Sequence, residues 1–335
     1  MEISSLKEKY KTLFGNKNLY LVKVPLRISP LGAHIDHQNG IVSGMTVNKY
    51  IYLLFSENKR KIRIYSENYK DKVEFSIDEE VKKGNHWSDY IKGAFFALKE
   101  KYKIEKGIDG LIYGEISTRG LSSSAATGIS YLLALEKINN LKVSEEENVL
   151  LMQKIENDFI ALNNGILDQS VILLNSNFPL SLLFIDCKTN EFKNIIPEKK
   201  IDFDIIIVHS GVDRVLIKTN YNERVKECIE ASKILLKLAG EKVKENIRLR
   251  DVKREYFETY KNKIPENLRK RAEHFYSEME RVEKGIGYWE KGNIEKFGKL
   301  MKESGESSIK NYECGTPQTI EIHLSLIHIS EPTRL

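Results

Sequence analysis

Several features that would fix the class of a protein at once are missing from this chain. No stretch approaches the ~18–20 apolar residues of a membrane-spanning helix, although 41% of its 335 residues are hydrophobic. Met1 to Leu13 is charged and helical in pattern, without the apolar centre of a signal peptide. Cysteine is scarce. Cys187, Cys228 and Cys314 are odd in number, far apart and without metal-ligand spacing, which argues against a disulfide framework or zinc cluster and for a reducing cytoplasm. Neither sign of charge dominates, the net value being +5. Lysines alternate with glutamates, and no basic patch is interleaved with aromatics, so nucleic acid is not an expected partner. Internal repeats and low-complexity linkers are also missing.

What remains is an ordinary globular composition, with 30% charged residues and a length that suits about two domains. Leu19 to Val24 reads as a strand. Ile51 to Phe55, Lys61 to Tyr65 and Val73 to Ile77 are short β-rich runs separated by polar turns, the pattern of an antiparallel meander. Asn58 to Lys61 is the solvated tip between two of them. Ser88 to Lys103 places Ile91, Ala94, Phe95 and Leu98 at helical spacing, with Ser88 as N-cap. Leu111 to Ile116 is another strand, and helices follow over about Ser122 to Asn139 and Ser144 to Leu162. Phe203 to His209, with its I-I-I-V core, reads as a buried strand opening a second domain. Helical patterns then dominate from Asn222 to Lys302.

Three segments carry chemistry. Arg27 to Gly40 reads R-I-S-P-L-G-A-H-I-D-H-Q-N-G and gathers Arg27, His34, Asp36, His37, Gln38 and Asn39 in a turn-rich connection. Donors and acceptors at that density suit a polyol, although a solvated loop would look similar. Gly120 to Ala126, G-L-S-S-S-A-A, lies between a strand and a helix. There the N–H groups and dipole of a helix start cradle phosphate oxygens, and the serine hydroxyls can add donors or a ligand for Mg²⁺. It is neither a Walker A loop nor a G-x-G-x-x-G fingerprint, and serines at a helix start also serve as plain caps. Asn164 to Gln169, N-G-I-L-D-Q, follows Glu156 on the preceding helix. Asp168, if half-buried, needs a cation to stay ionised, and Arg27 is the candidate; a helix-capping aspartate is the alternative.

Together these segments resemble the galactokinase branch of the GHMP small-molecule kinases. Arg27 to Gly40 is similar to the sugar-recognition motif, Gly120 to Ala126 to the phosphate loop, and Gly165 to Gln169 to the motif holding the catalytic aspartate. His209 to Arg224, ending Y-N-E-R, and Asn311 to Gly315, N-Y-E-C-G, resemble later family motifs. The resemblance runs from about Tyr20 to Ile322 in the family's order. It implies an α+β fold of two domains, the first ribosomal-S5-domain-2-like and the second ferredoxin-like, with ATP and sugar in the cleft. The expected bounds are 1–200 and 201–323. In that family's terms Asp168 is the base that takes the anomeric proton, and Arg27 keeps it ionised and stabilises the transferring phosphoryl group. Gly120, Leu121, Ser122, Ser123, Ser124 and Ala125 hold the ATP phosphates, and Ser124 and Glu156 ligate Mg²⁺. Ala33, His34, Asp36, Asn164 and Tyr221, with Asp168, bind the sugar.

Galactokinases usually carry a glutamate, facing the C6 hydroxyl of galactose, where this chain has Ala33. Losing that carboxylate removes repulsion toward a sugar oxidised at C6, a difference of roughly a few kcal/mol at a partly dry site. The motif wording is closer to galacturonokinases, so D-galacturonate is the expected substrate and its 1-phosphate the product; galactose still accepted is the alternative. His37, Arg119 and Arg214 are the cations available for the C6 carboxylate. Other sugar kinases of the superfamily and a non-catalytic sugar sensor are the rival classes. The resemblance does not fix an oligomeric state.

The end of the chain is anomalous. Leu324 to Arg334, L-S-L-I-H-I-S-E-P-T-R, resembles a reading frame of a sequencing adapter, so residues 324–335 are set apart from the second domain. On that reading the second domain is incomplete and lacks the family's glycine-rich third motif.

Overall fold

The computed structural model describes residues 2–116, 121–176, 180–212 and 221–330, with side chains as far as 325. The chain divides into two units, one of Met1–Ile28 and Thr46–Asn177, the other of Ser29–Met45 and Phe178–Leu335. This division differs from the expected boundary at residue 200. The segment holding Ala33, His34 and Asp36 belongs to the second unit because its backbone bonds are made there: Gly32 N–H donates to Glu278 at 2.8 Å, and Ser43 pairs with Phe184.

The first unit opens with helix α1 (Ile3–Phe14) and strand β1 (Tyr20–Ile28), and continues through β2 (Ile41–Asn58), β3 (Lys61–Ser66) and β4 (Asp71–Ser76). Then come α2 (Asp89–Lys101), β5 (Gly107–Gly114), α3 (Ser123–Asn139), α4 (Glu145–Lys154) and α5 (Leu167–Leu174). The expected meander is not formed. β3 and β4 do pair antiparallel, but β5 lies between β2 and β3, antiparallel to the first and parallel to the second. The reason is burial: nearly every residue of β5 is buried, which suits a central strand and not the margin of a sheet. α3 packs on α2, β1 and β5 and is buried on almost every side, as its small and apolar residues allow.

The helix expected from Ser144 to Leu162 is interrupted. Ser144 accepts from Glu147 N–H as an N-cap, but the α-helix ends at Lys154 and passes into a π turn over Ile155–Phe159. Such bulges recur at functional sites because the extra residue re-aims its neighbours. Here the turn contains Glu156, which is 2% exposed.

In the second unit the start of β2 pairs with β6 (Leu182–Asp186), which pairs with β7 (Glu191–Ile195). Helices α6 (Tyr221–Leu238), α7 (Arg254–Tyr260), α8 (Glu266–Glu290), α9 (Ile294–Lys310) and α10 (Pro317–Ser330) follow. Phe203 to His209 is not the buried strand that its composition suggests. It has no regular structure, and Ile206 is 83% exposed. β-propensity is realised only against a paired and half-buried surface, and among the described residues no strand pairs with this run. Both units mix helices and strands, the α+β organisation expected. Among the described residues no helix is long and apolar enough to cross a membrane.

Candidate active site

Arg27 stands near the end of β1, Ser122 immediately precedes α3, and Asp168 lies in the first turn of α5. Because both helices pack on β1, these three residues meet. Arg27 Nε donates to Asp168 Oδ1 at 2.7 Å, and its Nη2 lies 2.6 Å from the same oxygen. The other carboxylate oxygen, Oδ2, accepts a short hydrogen bond from the Ser122 hydroxyl. Asp168 is therefore not a helix cap; its side chain turns to a cation and a hydroxyl. The pair is mostly but not fully buried, at 15% and 26% side-chain exposure, so the carboxylate is still open to a ligand.

Ser122 occupies the left-handed region with φ of 55°. A non-glycine residue there is strained by about 1 kcal/mol or more. That conformation turns its hydroxyl toward Asp168, so the serine expected among the phosphate-holding residues holds the carboxylate instead. Leu121, Ser122, Ser123, Ser124 and Ala125 lie at or just before the start of α3, where the first backbone N–H groups have no partner within the helix and favour an anion. Gly120, Arg119 and Arg214 fall outside the described residues.

Around this set lies a second group. Glu156 accepts from the Asn164 side-chain amide at 3.0 Å. Tyr90 of α2, which no motif singles out, hydrogen-bonds Ser124 and feels the charges of Glu156 and Asp168; burial, first, and those charges raise its hydroxyl far above the usual range. Ser124 and Glu156 are hard oxygen donors, one of them a buried carboxylate, and that donor chemistry fits Mg²⁺.

The sugar-motif residues from Ser29 onward belong to the second unit. His34, at φ 63°, stacks on Tyr312 with ring centroids 4.5 Å apart and 4° between planes. Its Nε2 lies 3.4 Å from Cys314 Sγ. Asp36 opens a turn of 3₁₀ helix, Asp36–Gln38, and Tyr221 meets His37 edge-on at 5.8 Å. The tautomer of His37 follows from its neighbours. Leu249 N–H donates to Gln38 Oε1 at 3.2 Å, so the Gln38 amide nitrogen faces His37 Nδ1, at 2.8 Å. His37 then carries its proton on Nε2, 3.0 Å from the Tyr312 hydroxyl. Burial, then the charges of Arg248 and His274, push His37 down to about 3. It is neutral near pH 7, which removes it as a cation for a sugar carboxylate. A histidine's charge depends on burial, and burial cannot be read from a local motif.

Residues 89–176 match the family described as GHMP kinases N terminal domain. The galacturonokinase of Arabidopsis thaliana is 41% identical over 97% of this chain and 82% of its own length. A galactokinase of Clostridium perfringens is 34% identical over 93% and 81%. The crystal structure of Lactococcus lactis galactokinase complexed with galactose matches with a TM-score of 0.85 at 34% identity, over 94% of this chain and 81% of that one. A mevalonate kinase, at 18% identity and a TM-score of 0.54, shares the fold. Identity above 30% along nearly the whole chain, joined to the Arg27, Ser122 and Asp168 constellation, leaves one assignment: the chain belongs to the GHMP kinases, in their galactokinase branch.

Proposed function

We propose that this protein is an ATP-dependent sugar 1-kinase that phosphorylates the anomeric hydroxyl of a galacto-configured sugar, with D-galacturonate preferred. The observation that carries the reading is Asp168, held by Arg27 on one oxygen and by Ser122 on the other at the start of α3. A carboxylate offers about four lone-pair sites, so a substrate hydroxyl can join Ser122 on Oδ2 and pass its proton there. An anomeric hydroxyl is more acidic than an ordinary alcohol, so a carboxylate base suffices. Phosphoryl transfer needs alignment and charge neutralisation more than covalent chemistry. Arg27 supplies positive charge beside the base, and the N–H groups opening α3 supply donors for the phosphates. Mg²⁺, held by Ser124 and Glu156, would neutralise further phosphate charge. Asp36, His34, Asn164 and Tyr221 bind the sugar, and Ala33 leaves room and no negative charge where galactokinases carry a glutamate.

The 41% identity to a galacturonokinase supports the sugar acid; the 34% identity to galactokinases supports galactose as the second reading. ADP release, measured with galacturonate and galactose offered side by side, separates them. A higher kcat/KM for galacturonate is expected. A higher value for galactose keeps the kinase and discards the sugar acid, and release with neither discards the galacto-sugar reading.

A further inference from the structure

We infer that His274 and Glu278, two residues one turn apart on α8, are positioning residues that grip the backbone of Gly32 and Ala33 and thereby aim the position that sets sugar preference. The inference rests on the sugar-binding reading of the 33–36 segment and deepens it. Ala33 bears on the choice of sugar only if its Cα–Cβ bond points the right way, and nothing in the Ala33 side chain can enforce that. Its backbone can. His274 Nε2 lies 2.8 Å from the Ala33 carbonyl oxygen, and a carbonyl only accepts, so the proton is on Nε2. His274 Nδ1 must then accept, and its partner is the Ser307 hydroxyl at 2.9 Å, whose oxygen in turn accepts from the Asn311 amide at 3.2 Å. Each donor and acceptor in the run from Asn311 to Ala33 has one direction. Burial lowers the His274 imidazole below its usual range, which keeps it the neutral, one-donor group that the run requires.

One residue earlier, Glu278 Oε1 accepts from the Gly32 N–H at 2.8 Å and from Ser304 at 2.6 Å. Its Oε2 pairs with Arg281, 2.7 Å from Nε. The carboxylate is fully buried, and every bond made to it is charge-assisted. Gly32 has φ of 92°, and a Cβ there would stand 2.6 Å from Val42 Cα. The loop therefore sits tightly against β2 on one side and is held from α8 on the other. Consecutive backbone groups, an N–H and a C=O, are fixed by the i and i+4 positions of one helix. Neither contact touches a side chain of the sugar motif, so the motif's own letters do not reveal them.

The test is steady-state kinetics of His274→Ala, His274→Gln and Ser307→Ala beside the wild-type chain, with KM measured separately for sugar and ATP, and a thermal melt of each. His274→Ala should raise the sugar KM about tenfold or more with the ATP KM within about twofold. His274→Gln keeps an N–H for the Ala33 carbonyl and should recover most of that loss. Ser307→Ala, a gentler change that leaves His274 in place, should give a smaller rise in sugar KM alone, which keeps the question open to decision if His274→Ala does not fold. Equal rises in both KM values, or an unchanged sugar KM in Ser307→Ala and His274→Gln together with no loss in a folded His274→Ala, would overturn the assignment. Wild-type turnover with no galacto-sugar would overturn instead the reading beneath it.

Discussion

At the scale of single residues, the site depends on one carboxylate with a divided environment. Arg27 takes one oxygen of Asp168 and Ser122 the other, so replacing Asp168 by asparagine preserves shape while removing the carboxylate proposed as base. Asp168→Asn should lower kcat by about 10²–10⁴-fold and leave sugar affinity within a few-fold, measured by ADP release and by calorimetric titration of sugar. Near-normal kcat would remove Asp168 from the chemistry. Position 33 tests the substrate in the same way. Ala33→Glu places a carboxylate where the C6 group of a sugar acid is expected, and like charges in a partly dry site cost roughly a few kcal/mol. The ratio of kcat/KM for galacturonate over galactose should fall about a hundredfold; an unchanged ratio in the sugar panel would refute the role given to Ala33.

At the scale of elements, two buried charges show how helices are tied together. Arg271 on α8 has no exposed side-chain surface, and its Nε donates to Glu227 of α6 at 2.7 Å. It also reaches the Asn311 carbonyl and Glu313. Burial alone would raise the Glu227 carboxyl, and the bonds from Arg271 and Asn267 more than offset it, so Glu227 stays below the usual carboxylate range. Arg271→Met removes the cation and strands its partners. Urea denaturation should show a loss of about 3 kcal/mol, and a loss under about 1 kcal/mol would mean that water replaces the guanidinium.

Glu136 on α3 is the opposite case, a buried carboxyl without a cation. Burial raises it from 4.5 to about 7, with the Asn148 amide lowering it only in part, and Oε1 has no hydrogen-bond partner. The folded chain therefore keeps a proton that the unfolded chain has released between pH 4.5 and about 7. Stability from this group is fully present below pH 4.5 and declines as pH rises through that window. Glu136→Gln should abolish its share of the decline. The variant should match the wild type at pH 4 and exceed it at pH 8 by an amount on the order of 1–3 kcal/mol, read from paired denaturation curves. A variant no more stable than wild type at pH 8 would show that burial does not raise this carboxyl in the fold.

At the scale of the whole molecule, what was legible followed how local each cause is. The helix start at Ser144 was readable because helix starts are settled within about four residues, whereas Ser88, expected as an N-cap, makes no side-chain cap bond. The strands β3 and β4 were readable as β-rich runs between polar turns, but the insertion of β5 beside β3 was not, since neighbours in a sheet are chosen by burial across the fold. The π turn at Glu156 left no local trace, because the apolar spacing on either side of it still suits an α-helix. Phe203 to His209 misled for the same reason in reverse: its composition suits a strand, and a strand exists only where another offers its edge. Tyr90 and His274 were silent in the sequence because each acts through a partner far away in the chain.

By itself the sequence determined the family and pointed to Arg27, Asp168 and the start of α3 as the proposed site, because those depend on residue types kept in order along short segments. Only the tertiary structure decided that Ser122 hydrogen-bonds Asp168, that His37 is neutral and that α8 holds Gly32 and Ala33. Those outcomes depend on burial and on hydrogen-bond direction, which exist only once distant segments have met.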